Sequence, residues 1–198
     1  MWFLLQNIYG STSIILYITV TYLTIRERRH FSRSFLVLFA IFAFVNILSC
    51  LALYMSLRLP MHTTRESPIA PLFENFSSSL STLIIFLCYY LPYCQNMTTL
   101  LLIFNRFRAI TFPFAKGLPY EVLLSIIAIF ILPMPICYNL LYAKAFYLYS
   151  EPLQGYYLIS ETAHEHQRLL YLVIFECVVA SMGLFMNSTG IAVLLRRC

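Results

Sequence analysis

Five long apolar runs divide this chain, at 8–25, 35–57, 80–104, 118–142 and 169–195. A hydrocarbon core about 30 Å thick takes roughly 20 helical residues at about 1.5 Å each, and each run approaches or exceeds that length. The runs lack the roughly ten-residue apolar/polar alternation of a membrane barrel, so helices that satisfy their own backbone are expected. The expected fold is an all-α integral membrane bundle of five transmembrane helices.

Composition supports lipid as the solvent. Hydrophobic residues make up 61% of the chain and charged ones 11%, against about 45–50% and about 25% in soluble domains. A single aqueous core in a chain of 198 residues cannot take up that much apolar surface, and lipid must cover the rest.

The connections between the runs set an orientation. The first carries Arg26, Arg28, Arg29 and Arg33 against Glu27, and the third carries Arg106, Arg108 and Lys116 without an acid. The second is neutral, with Arg58 and Arg65 against Glu66 and Glu74, and the fourth sets Lys144 and Arg168 against Glu151, Glu161 and Glu165. Arg196 and Arg197 follow the last run, so nine basic residues collect on one side and four on the other. Basic connections stay in the cytoplasm, which places the N-terminus outside and the C-terminus inside. The first run lacks a preceding basic segment and reads as an uncleaved span.

A glycosylation acceptor, Asn75-Phe76-Ser77, falls in a connection that charge independently places outside. The same pattern at Asn96 and Asn187 lies within spans, beyond reach of the transferase. The six cysteines have no CxxC spacing and read as small buried hydrophobes. His164 and His166 with Glu161 and Glu165 have donor atoms for a metal, but a solvated loop is the simpler reading, and no metal or cofactor is expected.

Polar and helix-breaking residues inside the spans suggest where function sits. Pro92 interrupts the third span, and Pro133 with Pro135 the fourth, because each removes a backbone donor. Glu176 is the one acid deep in a span, about 10 Å below its outer end, where a carboxylate requires a polar neighbour or a proton. A ligand-pocket wall and an interhelical bond both satisfy that requirement. Tyr89 and Tyr90 in the outer half of the third span either line a pocket or pack the bundle. Asn46 and Gln95 belong to a set of amides expected to join helices. There is no HExxH, GxSxG or phosphate-binding glycine loop, so an enzyme is not indicated. Without a continuous basic face, neither is nucleic-acid binding.

The third run closes on NMTTLLIFNRFRAITFPF, and with Asn105-Arg106-Phe107 followed by Phe112-Pro113 it resembles nematode serpentine chemoreceptors of the Srg superfamily, class gamma or class V. Tyr9-Gly10 and Ser34-Phe35 with Asn46 agree with that likeness. The resemblance implies a seven-helix receptor related in architecture to rhodopsin-like G-protein-coupled receptors, and a chemosensory role at the plasma or ciliary membrane of a sensory cell. It implies an unknown small-molecule ligand, coupling to a heterotrimeric G protein through Asn105, Arg106, Phe107 and Arg108, and association with other receptors. Asn105 stands where such receptors usually carry an acid. The outer-loop disulfide is absent, and the chain is expected to be truncated after the fifth helix. An alternative role is a structural or assembly subunit that packs with full-length receptors and modulates their trafficking.

Overall fold

The computed structural model describes residues 2–27, 29, 31–112, 120–161 and 165–197. Long helices occupy four of the apolar runs, and shorter helical pieces follow one another through the run at 118–142. Helix α1 (Trp2–Arg26) is followed by α2 (Arg33–Leu53), which passes through one π-helical turn (Tyr54–Arg58) into α3 (Leu59–Met61). The Ser32 hydroxyl starts α2 by accepting from the Phe35 N–H at 3.2 Å, meeting one of the orphan donors of a first helical turn. The short α4 (Ala70–Glu74) leads to α5 (Ser78–Thr111), whose 34 residues extend about 51 Å. Helix α6 (Glu121–Phe130) and α7 (Met134–Cys137) continue into a 3₁₀ turn (Tyr138–Tyr142), and α8 (Glu165–Arg197) ends the fold.

Among the described residues, four helical stretches are long and apolar enough to cross a membrane: Ile8–Arg26, Arg33–Met61, Glu121–Tyr142 and Leu169–Arg196. Helix α5 does not reach the same hydropathy, because Gln95, Asn96, Thr98 and Thr99 interrupt its middle. It lies at the centre, packed by α2, α6 and α8, and Gln95, Thr98 and Thr99 each donate a hydrogen bond within the protein, so lipid sees less of them. The outward sides of α1 and α8 expose Ile15, Leu16, Leu184 and Phe185, surfaces that a bilayer would cover.

Two expectations are corrected. The fold is mostly helical but not all-α: β1 (Ala145–Ser150) and β2 (Gly155–Ser160) form an antiparallel hairpin within the fourth connection. Their Tyr-, Leu- and Ile-rich runs flank a short turn in which Gln154 adopts φ 50°, and such runs favour extended pairing. The third connection also begins later than its basic residues suggest, since Asn105 through Thr111 remain helical in α5. Their charge signals the membrane rim without ending the helix.

The helices share two distinct ends. The start of α1 meets the end of α2, where a Cβ at Gly10 would lie 3.3 Å from Arg58. There the hairpin packs on α3 and α4, with Phe73 and Tyr156 buried. Gly155 permits this docking, because an added Cβ would collide with the Met61 backbone carbonyl. At the opposite end, the start of α2, the close of α5 and the start of α6 border one cavity. Gly190 near the end of α8 faces Phe107 and Ile110 of α5. Arg33, Arg106, Arg108 and Arg196 thereby collect at this second, basic end, away from the hairpin.

Candidate functional site

The sequence-selected residues fall into three places along α5. In its middle, the Gln95 amide donates to Asn46 Oδ1 at 2.6 Å, and Asn46 Nδ2 donates to the Phe42 carbonyl at 2.7 Å. The expected amide contact between helices is thus present, bridging α2 and α5. Around it, Leu38, Val45, Ala52, Leu91, Cys94 and Ile129 form a buried apolar core, which shields the amides from competing water.

Nearer the hairpin, Tyr89 and Tyr90 diverge because consecutive helix residues project about 100° apart. The Tyr90 hydroxyl donates to the Phe130 carbonyl of α6 at 2.6 Å. That carbonyl is available for a reason: Pro133 interrupts the helix and the Met134 N–H donates to Ile131 at 3.2 Å, one residue short of the α-helical ladder. Tyr90 therefore satisfies the break between α6 and α7. Tyr89 packs on the apolar group containing Ile85, Phe86, Tyr93, Cys137 and Leu140.

Glu176 lies on α8 beside Phe175, whose ring is 5.1 Å from that of Tyr93. The carboxylate side chain is exposed. The three residues chosen for an outer pocket have different surroundings: Tyr90 turns to α6, Tyr89 packs in the bundle, and Glu176 is exposed on α8. Close helix approach continues below Glu176, since a Cβ at Gly183 would lie 3.0 Å from Ile103 Cδ1.

Sequence reasoning missed the cap over this region. Tyr147 reaches from β1 and donates to the Met55 carbonyl in the π turn at 2.9 Å. A π turn displaces the regular hydrogen-bond ladder, and the phenol supplies a donor there. Thr82 and Ser78 at the start of α5 donate to the carbonyls of Ala143 and Ala145 at 2.7 and 3.2 Å. Tyr156 donates to Glu74 at 2.8 Å, while the Arg65 guanidinium sits 4.5 Å from the Tyr149 ring centroid. Burial, with a further contribution from Cys88, pushes the Tyr147 phenol up to about 12. Burial and the bond to Glu74 raise Tyr156 as well. Both phenols are therefore held neutral, as hydroxyl donors. The alternation of AFYLYS and GYYLIS is a hairpin signal that loop-charge counting overlooks.

The cavity at the basic end measures about 560 Å³ and lies between α2, α5 and α6. Leu101, Phe104, Asn105 and Arg108 form one wall, and Glu121, Leu124, Ser125 and Ala128 form the facing wall. Both sets follow the i, i+3, i+4, i+7 spacing of one helix face. Arg108 Nη1 donates to Glu121 Oε1 at 2.5 Å, with side chains 21% and 20% exposed. Arg106 points elsewhere and is exposed, whereas Phe107 packs towards α8. Of the four residues selected for coupling, Asn105 and Arg108 line the cavity, but Glu121 was not singled out by sequence.

Asn75 is exposed at the end of α4 and donates through Nδ2 to the Pro71 carbonyl at 3.0 Å. Phe76 packs against Tyr147, with ring centroids 5.3 Å apart. Asn96 and Asn187 lie within α5 and α8. His164, Pro113 and Cys198 lie outside the described residues.

The arrangement combines a bundle capped at one end by the hairpin, polar links inside it and a charged opposite end. The model of the Srg family of chemoreceptors matches residues 3–195. Serpentine receptor class gamma-31 of Caenorhabditis elegans is 28% identical over 190 residues, a stretch covering 92% of this chain and 60% of that relative. The chain thus spans less than two thirds of the curated relative's length. With apolar helices through most of its length and the family match covering nearly all of it, the chain belongs to the Srg family of chemoreceptors, multi-pass membrane proteins.

Proposed function

We propose that this chain forms the five-helix part of a receptor that detects an external chemical cue and passes a packing change to a heterotrimeric G protein. The observation carrying this reading is the family match over 3–195. The hairpin end faces outside and the basic end faces the cytoplasm, consistent with arginine retention on the cytoplasmic side. In this reading α5 joins the four more apolar stretches as a spanning helix, third in chain order, admitted despite its polar middle because neighbouring helices shield it. The plasma or ciliary membrane of a sensory cell is the proposed location.

The outer ends of α5 and α8 supply the ligand-facing surface, with Glu176 and Tyr89 as its polar groups and Tyr90 as support through α6. Glu176 is exposed in this chain, so a cue can reach it. At the other end, Arg106 meets the G protein, while Asn105, Phe107 and Arg108 shape its surroundings. A signal requires two bundle states with different affinities for the cue.

Expression in a reporter cell provides the test, with candidate cues and measurement of both surface level and response. Glu176→Gln is expected to shift the response midpoint at least threefold with little loss of surface receptor, and Arg106→Ala to reduce maximal response at least twofold. Equal loss of folded receptor in both variants, with normal response per surviving molecule, refutes these roles.

A second reading is an assembly subunit that associates with longer receptors. The exposed polar residues Glu176 and Asn187 on α8 favour it, because such groups in lipid seek protein partners. Co-expression should then change a relative's surface level and recover the two proteins together. Glycosylation at Asn75 belongs to either orientation-dependent reading, and loss of a glycosidase-sensitive mass in Asn75→Gln would identify it.

A further inference from the structure

We propose that Arg108 and Glu121 form an interhelical latch that controls opening of the basic-end cavity. Arg108 closes the last turn of α5 and Glu121 opens α6, so their ion pair joins the two helix ends across 13 positions. Each charge also suits its own helix terminus: the guanidinium lies by the carbonyl-rich end of α5 and the carboxylate by the amide-rich start of α6. The arrangement makes the pair self-consistent without an acid at position 105.

The cavity gives the latch a physical consequence. Arg108 and Glu121 stand on its facing walls, with apolar Leu101, Phe104, Leu124 and Ala128 alongside them. Ser125 also lines this space, is only 8% exposed, and binds the Glu121 carbonyl at 2.8 Å. Separating the charged ends would admit water and small reagents toward Ser125. This latch deepens the receptor proposal by identifying a contact that a basic-end partner would alter during coupling. Partial exposure also makes the ion pair responsive to salt.

The test uses the chain of 198 residues in lipid nanodiscs. Ser125→Cys introduces a reporter, and its reaction with neutral N-ethylmaleimide is followed by peptide mass spectrometry, which separates it from native cysteines. Adding Glu121→Gln or Arg108→Gln should accelerate labelling at position 125 at least threefold, while the charge swap R108E/E121R should restore at least half of the protection. Raising salt in the otherwise unaltered reporter should also accelerate labelling. Circular dichroism checks folding in each variant, and the salt experiment remains decisive if a charge variant does not fold. A labelling rate independent of salt, or a swap as open as Glu121→Gln despite retained helicity, overturns the latch. These outcomes need no signalling activity, whereas normal coupling by Arg106→Ala receptors would overturn the coupling proposal while leaving the latch intact.

Discussion

The hairpin end and the basic end use different means of joining helices. At the hairpin end, Tyr147 binds the π turn, Tyr156 binds Glu74, and Thr82 ties α5 to the strand approach. Apolar packing surrounds these directional bonds. At the basic end, a partly exposed ion pair lies across a cavity. Directional bonds protected by packed rings fix geometry over a broad patch, whereas an accessible charge pair is weakened by counterions. The contrast assigns rigidity to the cap and an adjustable contact to the opposite end.

The strongest attack on this contrast is Gly155→Val, because the new branch would meet the Met61 carbonyl. A stability loss of about 1–3 kcal/mol is expected from such overpacking, measured by reversible unfolding of the purified chain in mild detergent or lipid. Preserved stability and unchanged protection of the hairpin would contradict the close docking. Tyr147→Phe is a milder probe: loss of the hydroxyl bond to Met55 should cost about 1 kcal/mol, concentrated at the hairpin end. Amide exchange should rise in the π turn and hairpin more than around Arg108. Equal changes at both ends would remove the proposed division.

Alkaline titration sharpens the same comparison with a smaller expected effect near its onset. The neutral Tyr147 proton is retained more strongly in the fold, where its pKa is about 12, than in an exposed chain near pKa 10. Its stabilising proton linkage is present below pH 10 and is lost as pH rises through the folded value. Apparent melting temperature should therefore fall more steeply between pH 10 and 12 in the parent than in Tyr147→Phe. Parallel pH profiles would show that this phenol does not govern the cap.

Particular residues show why the sequence reading reached some contacts and missed others. Long apolar runs constrain helices, while Asn46 and Gln95 announce polar interhelical packing even before their partner relation is known. Tyr89 and Tyr90 look like one aromatic feature in sequence, yet helical rotation separates their environments. Glu121 looks like an isolated rim acid until folding brings it to Arg108. The hairpin had a local signature in its alternating Tyr, Leu and Ile residues, but treating the connection through charge alone concealed it.

The amino-acid order by itself determined where lipid-compatible helices form and which connections concentrate basic charge, because residue volume, hydropathy and backbone preferences act locally. Tertiary structure decided that Tyr90 repairs a proline-generated vacancy in the backbone bonding pattern, that Tyr147 reaches a π turn, and that Arg108 faces Glu121. Those assignments depend on distances and directions between separate helices, which local preference does not contain.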